Sequence, residues 1–308
     1  MNLYDVTIIG GGPAGLAAGI YAARAALKTV LLEKGMPGGL AASTEFIENY
    51  PGFAEGISGP ELMMQMDAQA RRVGLEVKSA TAEAIKTVED YFSVKTDEEV
   101  INTKTIILAT GAQPQKLNIP GEEEFHGRGV SYCATCDGAF FRDKQVAVVG
   151  GGDAAVEEAI YLTKFVNKVH IIHRRGELRA TKILQKRAME NEKIIFHWHS
   201  VVEKISGEAT VQEIIIKDVR NGETRPLAVD GIFMYVGNRP VSDLVSGLIK
   251  VDERGYIITD ENMHTSHPGI FAAGDVRQKL LRQVVTAVAD GAIAAVAAEK
   301  YIEGSKKR

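Results

Sequence analysis

The sequence predicts an α/β protein built from two three-layer βαβ domains, the second inserted in the first. Three observations lead there. Residues 4–9 and 145–149 are short apolar runs, and each runs into a glycine turn followed by an Ala-rich helical stretch. The two turns begin at Gly10 and Gly150, a separation that marks a duplicated fold and not a short-period repeat. Near the end, residues 269–273 form one more apolar run closed by Gly274-Asp275, so the pattern of the first domain resumes after the second. Residues 1–114 with 244–308 are expected to form one domain and 115–243 the other.

The first turn, Gly10-Gly11-Gly12-Pro13-Ala14-Gly15, reads G-x-G-x-x-G between a strand and a helix expected over 16–26. Gly10 allows the tight turn, Gly12 lets backbone approach a pyrophosphate, and Gly15 packs helix on strand. The next strand, 29–32, ends in Glu33, near the spacing at which an acid accepts hydrogen bonds from a ribose. A glycine turn that only packs a βαβ unit is the alternative. Strand, glycines, helix and acid together favour a Rossmann-like nucleotide site. Residues 35–59 read as loop, and 61–73 as a helix whose Met63, Met64 and Met66 form a core stripe. Strands are expected over 83–88, 91–95 and 105–109, the last closing at Thr110-Gly111. Pro114 and Pro120 bracket a linker.

The second turn, Gly150-Gly151-Gly152-Asp153-Ala154-Ala155, reads G-x-G-x-x-A, with a helix expected over 156–164. The following strand, 168–172, ends in His173-Arg174-Arg175, with Arg179 beyond. Where the first unit has an acid, this one has bases. A carboxylate would repel a 2′-phosphate, whereas guanidinium forks bind it bidentately. The unit therefore reads as binding NADP(H) and not NAD(H), with a merely solvated basic run as the alternative. A helix over 183–190, strands over 194–197, 211–217 and 231–236, a linker at 237–240 and an apolar helix from Leu281 complete the reading.

Both cysteines of the chain, Cys133 and Cys136, stand two residues apart at the start of the inserted domain. A disulfide between them closes too short a loop to constrain an unfolded chain much. One thiolate can attack an outside disulfide while the other resolves the mixed disulfide. Half a zinc site is the rival. It needs further ligands, and the close pair His197 and His199 falls on an expected strand, so redox chemistry is preferred and no metal is expected. Apolar residues make up 45% and charged residues 25% of the 308, an ordinary globular balance. The net charge of −4 gives no reason to expect nucleic acid or an anionic membrane. No signal segment is expected before the first strand, and no apolar run spans a bilayer; residues 284–298 are interrupted by Asp290 and Gly291. A cytoplasmic enzyme is expected, and the basic tail 306–308 is expected to be solvated.

Taken together, Gly10-x-Gly12-Pro13-Ala14-Gly15, residues 48–52, Thr110-Gly111, Cys133-Ala134-Thr135-Cys136-Asp137-Gly138, Gly150-Gly151-Gly152, His173-Arg174-Arg175 with Arg179, Gly274-Asp275-Val276 and Arg282-Gln283 resemble the low-molecular-weight thioredoxin reductases nearly end to end. The Cys-Ala-Thr-Cys-Asp-Gly opening is the most specific of these. The resemblance implies FAD in the outer domain, NADPH in the inserted one, a homodimer, and thioredoxin or a thioredoxin-like protein as partner. It implies a flavin site of Gly10, Gly12, Pro13, Ala14, Gly15, Glu33, Lys34, Gly39, Leu40, Asn49, Thr110, Gly111, Gly274, Asp275, Arg282 and Gln283. For NADPH it implies Gly152, Asp153, Ala154, Ala155, Glu158, His173, Arg174, Arg175 and Arg179. Cys136 would face the flavin, Cys133 would attack the partner's disulfide, and Asp137 would be the acid or base. Leu40 replaces the family's usual glutamine, and Ala154 its usual Ser or Thr; a hydrogen bond lost there is worth about 1 kcal/mol. A related ferredoxin–NADP reductase would lack the Cys pair, an alkyl-hydroperoxide-reductase flavoprotein would add an N-terminal redox domain, and ferredoxin- or oxygen-fed relatives would lack the basic motif. A non-catalytic flavin-binding sensor is disfavoured by two nucleotide sites beside a dithiol.

Overall fold

The computed structural model describes residues 3–44 and 46–305, so the basic tail lies outside the described residues. Residues up to Gln113 and from Arg239 onward form one compact unit, and Pro114–Asn238 the other.

The chain opens with β1 (Leu3–Ile9) and α1 (Pro13–Arg24). The helix begins at Pro13, ahead of the expected residue 16, because proline in a first turn forfeits no helical hydrogen bond. There follow β2 (Thr29–Glu33), α2 (Gly59–Arg72), β3 (Glu76–Ser79), β4 (Ala82–Val88), β5 (Tyr91–Thr96), β6 (Val100–Leu108) and β7 (Ala112–Pro114). Ser58 caps α2, its Oγ accepting from Glu61 N at 3.3 Å. Met63 and Met66 enter the core as expected, but Met64 is 70% exposed: it lies on the outer face of the helix. The second unit comprises β8 (Val130–Ser131), α3 (Ala134–Asp137), β9 (Gln145–Gly150), α4 (Asp153–Leu162), β10 (Lys168–Ile172), α5 (Lys182–Met189), β11 (Ile194–His197), β12 (Ser200–Gly207), β13 (Val211–Asp218), β14 (Thr224–Ala228) and β15 (Gly231–Tyr235). Then come β16 (Asn238–Pro240), β17 (Ile270–Ala272) and α6 (Val284–Ser305).

In the outer unit the parallel order is β3-β2-β1-β6, with β17 joining the C-terminal half of β6. The N-terminal half of β6 carries the antiparallel β5 and β4. Ile8, Leu16, Leu31, Ile107 and Phe271 fill the core on the helical side of this sheet. Val30, Leu32, Ile106, Leu108 and Ile257 pack on the opposite face. The inserted unit repeats the plan with a parallel sheet, β11-β10-β9-β15-β8. Val148, Ile171 and Phe233 pack with α4 and α5 residues, while Val149, Ile172 and Ile232 pack with Ile214 and Ile216 of β13. The β12-β13-β14 sheet supplies that third layer.

Residues 112–114 pair with 238–240 as a two-stranded ribbon. Val241 N already donates to Gly111 O at 3.0 Å. For that reason the chain rejoins the outer unit at Arg239, ahead of residue 244.

Candidate active site

In the outer unit the first turn is shaped by backbone contacts. Gly10 has φ +108°, and a Cβ there would stand 2.3 Å from Ala109 O. A Cβ on Gly15 would stand 1.8 Å from Gly10 O, which is how closely α1 packs on β1. Around Gly12 a Cβ would meet nothing within 4 Å, so its backbone faces open space ahead of Pro13 and Ala14. The amide groups of a helix's first turn lack intrahelical partners and favour a phosphate there. Glu33, at the end of β2, accepts from Gly11 N at 2.7 Å and from Gly35 N at 3.2 Å. Each carboxylate oxygen keeps a lone pair for a ribose hydroxyl. Lys34 beside it is exposed.

The remaining residues expected at the flavin site gather round this turn. Gly38 N donates to Gly11 O at 2.8 Å, and Gly39, at φ +57°, would put a Cβ 3.4 Å from the Gly12 Cα. Leu40 is 40% exposed, so no polar group stands where the family has glutamine. Thr110 donates to Val241 O, and Gly111 has φ +68°. Asn49 Nδ2 donates to Gln283 Oε1 at 3.1 Å, which joins two distant expected residues. Gly274, at φ +79°, abuts Ala14.

Two buried atoms here have no hydrogen-bond partner among the described residues: Asp275 Oδ1 and Arg282 Nε. Burial pushes the Asp275 carboxyl up, against the pull of Lys279 and Arg282. The Arg282 guanidinium lies 3.9 Å from the Tyr256 ring centroid. A buried acceptor and a buried donor left unpaired are costly, and a polyhydroxylated ligand would satisfy both. The residues present therefore fit FAD.

Sequence reasoning missed the support beneath. Asp290, 6% exposed on α6, accepts from Gly274 N at 3.0 Å, Arg277 Nη1 at 3.0 Å and Lys279 Nζ at 2.6 Å. Its one signal was a carboxylate inside an apolar helix.

The inserted unit builds its turn the same way. Gly150 has φ +150° and would place a Cβ 2.4 Å from Tyr235 O; a Cβ on Gly152 would meet nothing within 4 Å. Asp153 Oδ1 caps the loop that carries the bases by accepting from Thr181 N at 2.7 Å, and Arg179 N donates to Gly151 O at 2.7 Å. Ala154 is exposed, Ala155 is buried and Glu158 is half-buried on α4. Arg174, Arg175 and Arg179 are exposed, free to close on an anion. His173 differs from them. Its ring is 5% exposed, a Cβ on Gly151 would fall 2.4 Å from it, and burial holds its pKa down. It is packed as a neutral ring, leaving positive charge to the arginines. Its Nε2 has no partner among the described residues, so the arrangement fits a phosphorylated dinucleotide.

Cys133 and Cys136 form a disulfide across α3, with Cα atoms 5.3 Å apart. Ser131 Oγ lies 2.6 Å from Asp137 Oδ2, and Tyr235 Oη accepts from Ala134 N at 2.9 Å. Burial foremost, then the Glu158 charge, pushes the Tyr235 phenol far up. Tyr132 donates to buried Glu122 at 2.7 Å. His197, weighed with His199 as a zinc ligand, is hydrogen-bonded to His170 and Arg225. No described helix is long and apolar enough to cross a membrane.

A family profile described as pyridine nucleotide-disulphide oxidoreductase matches residues 4–291. The chain is 48% identical to a thioredoxin reductase of Peptoclostridium acidaminophilum, over 99% of this chain and 98% of that one. It is also 48% identical to a thioredoxin reductase of Bacillus subtilis (strain 168), over 98% and 96%. The crystal structure of Lactococcus lactis thioredoxin reductase in its FR conformation superposes with a TM-score of 0.96 at 52% identity, covering 98% of this chain and 99% of that one. The chain belongs to the pyridine nucleotide-disulphide oxidoreductases, among the low-molecular-weight thioredoxin reductases.

Proposed function

We propose that the outer unit holds FAD, that the inserted unit holds NADPH, and that the Cys133–Cys136 disulfide hands their electrons to thioredoxin or a thioredoxin-like protein. The observation that carries this reading is the disulfide itself, set in the nucleotide-binding unit with a carboxyl group one residue beyond it. When bound, NADPH supplies a hydride and FAD supplies the electron pair that opens the disulfide. Glu33, Asp275, Arg282 and the turn at Gly10–Gly15 bind and orient the flavin nucleotide. Arg174, Arg175 and Arg179 hold the 2′-phosphate, and Gly152 lets the pyrophosphate reach the start of α4.

Once reduced, the Cys133 thiolate attacks one sulfur of the partner's disulfide. That S–S bond breaks, and the departing sulfur takes a proton. Cys136 then attacks the Cys133 sulfur of the mixed disulfide, releasing the second partner thiol and restoring the Cys133–Cys136 bond. Two electrons and two protons leave the enzyme dithiol and arrive on the partner. Asp137 moves the protons between the sulfurs.

The protein acts in the cytoplasm as a homodimer. On α6, Val285, Ile293 and Val296 are exposed apolar residues at helical spacing, a face suited to a second copy. The deciding experiment measures NADPH oxidation with and without oxidised thioredoxin, together with the nucleotide released on denaturation. Thioredoxin-dependent turnover and release of FAD are expected. FMN, or turnover indifferent to thioredoxin, would overturn the reading.

A further inference from the structure

Ser131 closes the two-residue strand β8, where pairing with Phe233 of β15 fixes its backbone. It is 3% exposed. Its Oγ lies 2.6 Å from Asp137 Oδ2, 3.1 Å from Cys133 N and 3.2 Å from Cys133 O. A hydroxyl has one hydrogen to give and two lone pairs to receive. Cys133 N can only donate, so one lone pair is committed. The single hydrogen then has two acceptors in reach, and the protonation of Asp137 chooses between them.

With Asp137 as carboxylate, the Ser131 hydrogen goes to Oδ2. With a proton on Oδ2, the acid donates to the second Oγ lone pair, and the Ser131 hydrogen turns to Cys133 O. Neither state leaves a group unpaired, and the carboxyl group keeps its place in both. A serine acting only as a local backbone cap would use the Cys133 amide and need neither of the other partners.

We propose that Ser131 is the positioning residue that holds the Asp137 carboxyl group in place through both of its protonation states while the dithiol turns over. The proposal rests on the reading of Asp137 as the proton carrier. In each exchange step Asp137 takes one proton from an enzyme thiol and gives it to the departing sulfur. The Ser131 hydrogen swings to Cys133 O and back, so no proton is gained or lost overall. Among the titratable groups near it, Tyr235 on β15 feels both Asp137 and Glu158 of α4, Tyr161 of α4 reaches within 3.7 Å of a Cβ on the adjoining Gly138, and the two cysteines share its turn. Tyr235 stays protonated throughout the neutral range.

The test compares holoenzyme carrying Ser131→Ala, Ser131→Thr, Ser131→Val or Asp137→Asn with the unmodified protein. The readouts are the pH profile of exchange from the prereduced dithiol to oxidised thioredoxin, the pH profile of iodoacetamide alkylation of the same dithiol, and the rate of flavin reduction by NADPH. Losing a donor to the carboxylate should move the acid limb of both profiles up by about one pH unit in Ser131→Ala. Ser131→Thr should restore the original profile, and flavin reduction should stay within about twofold, since it involves neither group. Ser131→Thr against Ser131→Val repeats the comparison at constant shape, should Ser131→Ala fail to fold. Unmoved profiles in Ser131→Ala, or equal ones for Thr and Val, overturn the proposal even if Asp137→Asn is slow. An Asp137→Asn enzyme with undiminished exchange would instead remove the reading beneath it.

Discussion

In the outer unit a Cβ on Gly10 would stand 2.3 Å from Ala109 O; in the inserted unit a Cβ on Gly150 would stand 2.4 Å from Tyr235 O. Gly12 and Gly152 both face open space. At the end of the second strand of each parallel sheet, one side chain leans over the middle glycine: Glu33 over Gly11, His173 over Gly151. The backbone sites are near copies, and the side chains at one strand end are opposites. On the function proposed above, the shared turns supply phosphate binding, which every dinucleotide needs, and discrimination rests on what stands at the ribose, an acid for free hydroxyls and guanidinium groups for a phosphate. Only the inserted unit adds a disulfide.

The largest effect should come from that addition. Cys133→Ser and Cys136→Ser should each reduce thioredoxin turnover to background, because exchange needs both an attacking and a resolving sulfur. Stopped-flow absorbance should show flavin reduction by NADPH near the original rate in both. Appreciable turnover in either variant would mean that the inserted unit is a nucleotide carrier and no more.

Next in size is a difference between the turns themselves. Gly15 would drive a Cβ to 1.8 Å from a backbone oxygen that cannot give way. The inserted unit already has Ala155 at its third position. Gly15→Ala should destabilise the protein by about 3 kcal/mol, and Ala155→Gly by about 1 kcal/mol. Urea unfolding midpoints check both, and equal costs would show that the two turns are packed alike.

Discrimination comes third. Arg174→Ala with Arg175→Ala should raise the KM for NADPH by about tenfold or more and leave NADH nearly unchanged, since a charge-assisted hydrogen bond is worth about 1.5–3 kcal/mol. Steady-state kinetics with both nucleotides decide it. Equal weakening would assign the arginines to the fold.

Much of this was legible from the sequence because the informative residues sit where period and spacing place them. Strands β10 and β11 fall on the expected residues, Glu33 ends β2, and His173 directly follows β10. What stayed hidden lacked a local pattern. β12 has register shifts that break its alternation, β14 carries Pro226 at a sheet edge, and β3 is a polar edge strand of four residues. Ser131 is one serine in a two-residue strand, and its meaning lies in a contact with Asp137. Asp290 shows only as an interruption until the turn at Gly274 folds onto it. His173 looked like one more base, and burial makes it a neutral packing ring.

The smallest expected effect distinguishes the two sheets in acid. Three residues before its strand end the outer unit has Val30, fully buried, and the inserted unit has His170. His170 Nε2 lies 3.3 Å from Gln145 Oε1, an acceptor, so that ring nitrogen carries the hydrogen. His197 Nδ1 lies 2.7 Å from Arg225 Nη2, which can only donate, so the His197 hydrogen sits on Nε2 and goes to His170 Nδ1 at 2.9 Å. The chain Arg225–His197–His170–Gln145 is satisfied only with both rings neutral. Burial above all, then His170 and Arg225, holds His197 down to about 4; burial, Lys168 and Arg225 lower His170 as well. A depressed folded value means that the unfolded chain binds the extra proton first. The contribution is therefore whole above about 6.5 and is lost as pH falls toward 4. With solvent screening of a partly exposed ring it amounts to about 1 kcal/mol. Urea midpoints at pH 7.5 and 4.5 should converge by that amount between the unmodified protein and His170→Asn with His197→Asn. A gap that does not change with pH would show that acid does not reach the inserted sheet through this pair.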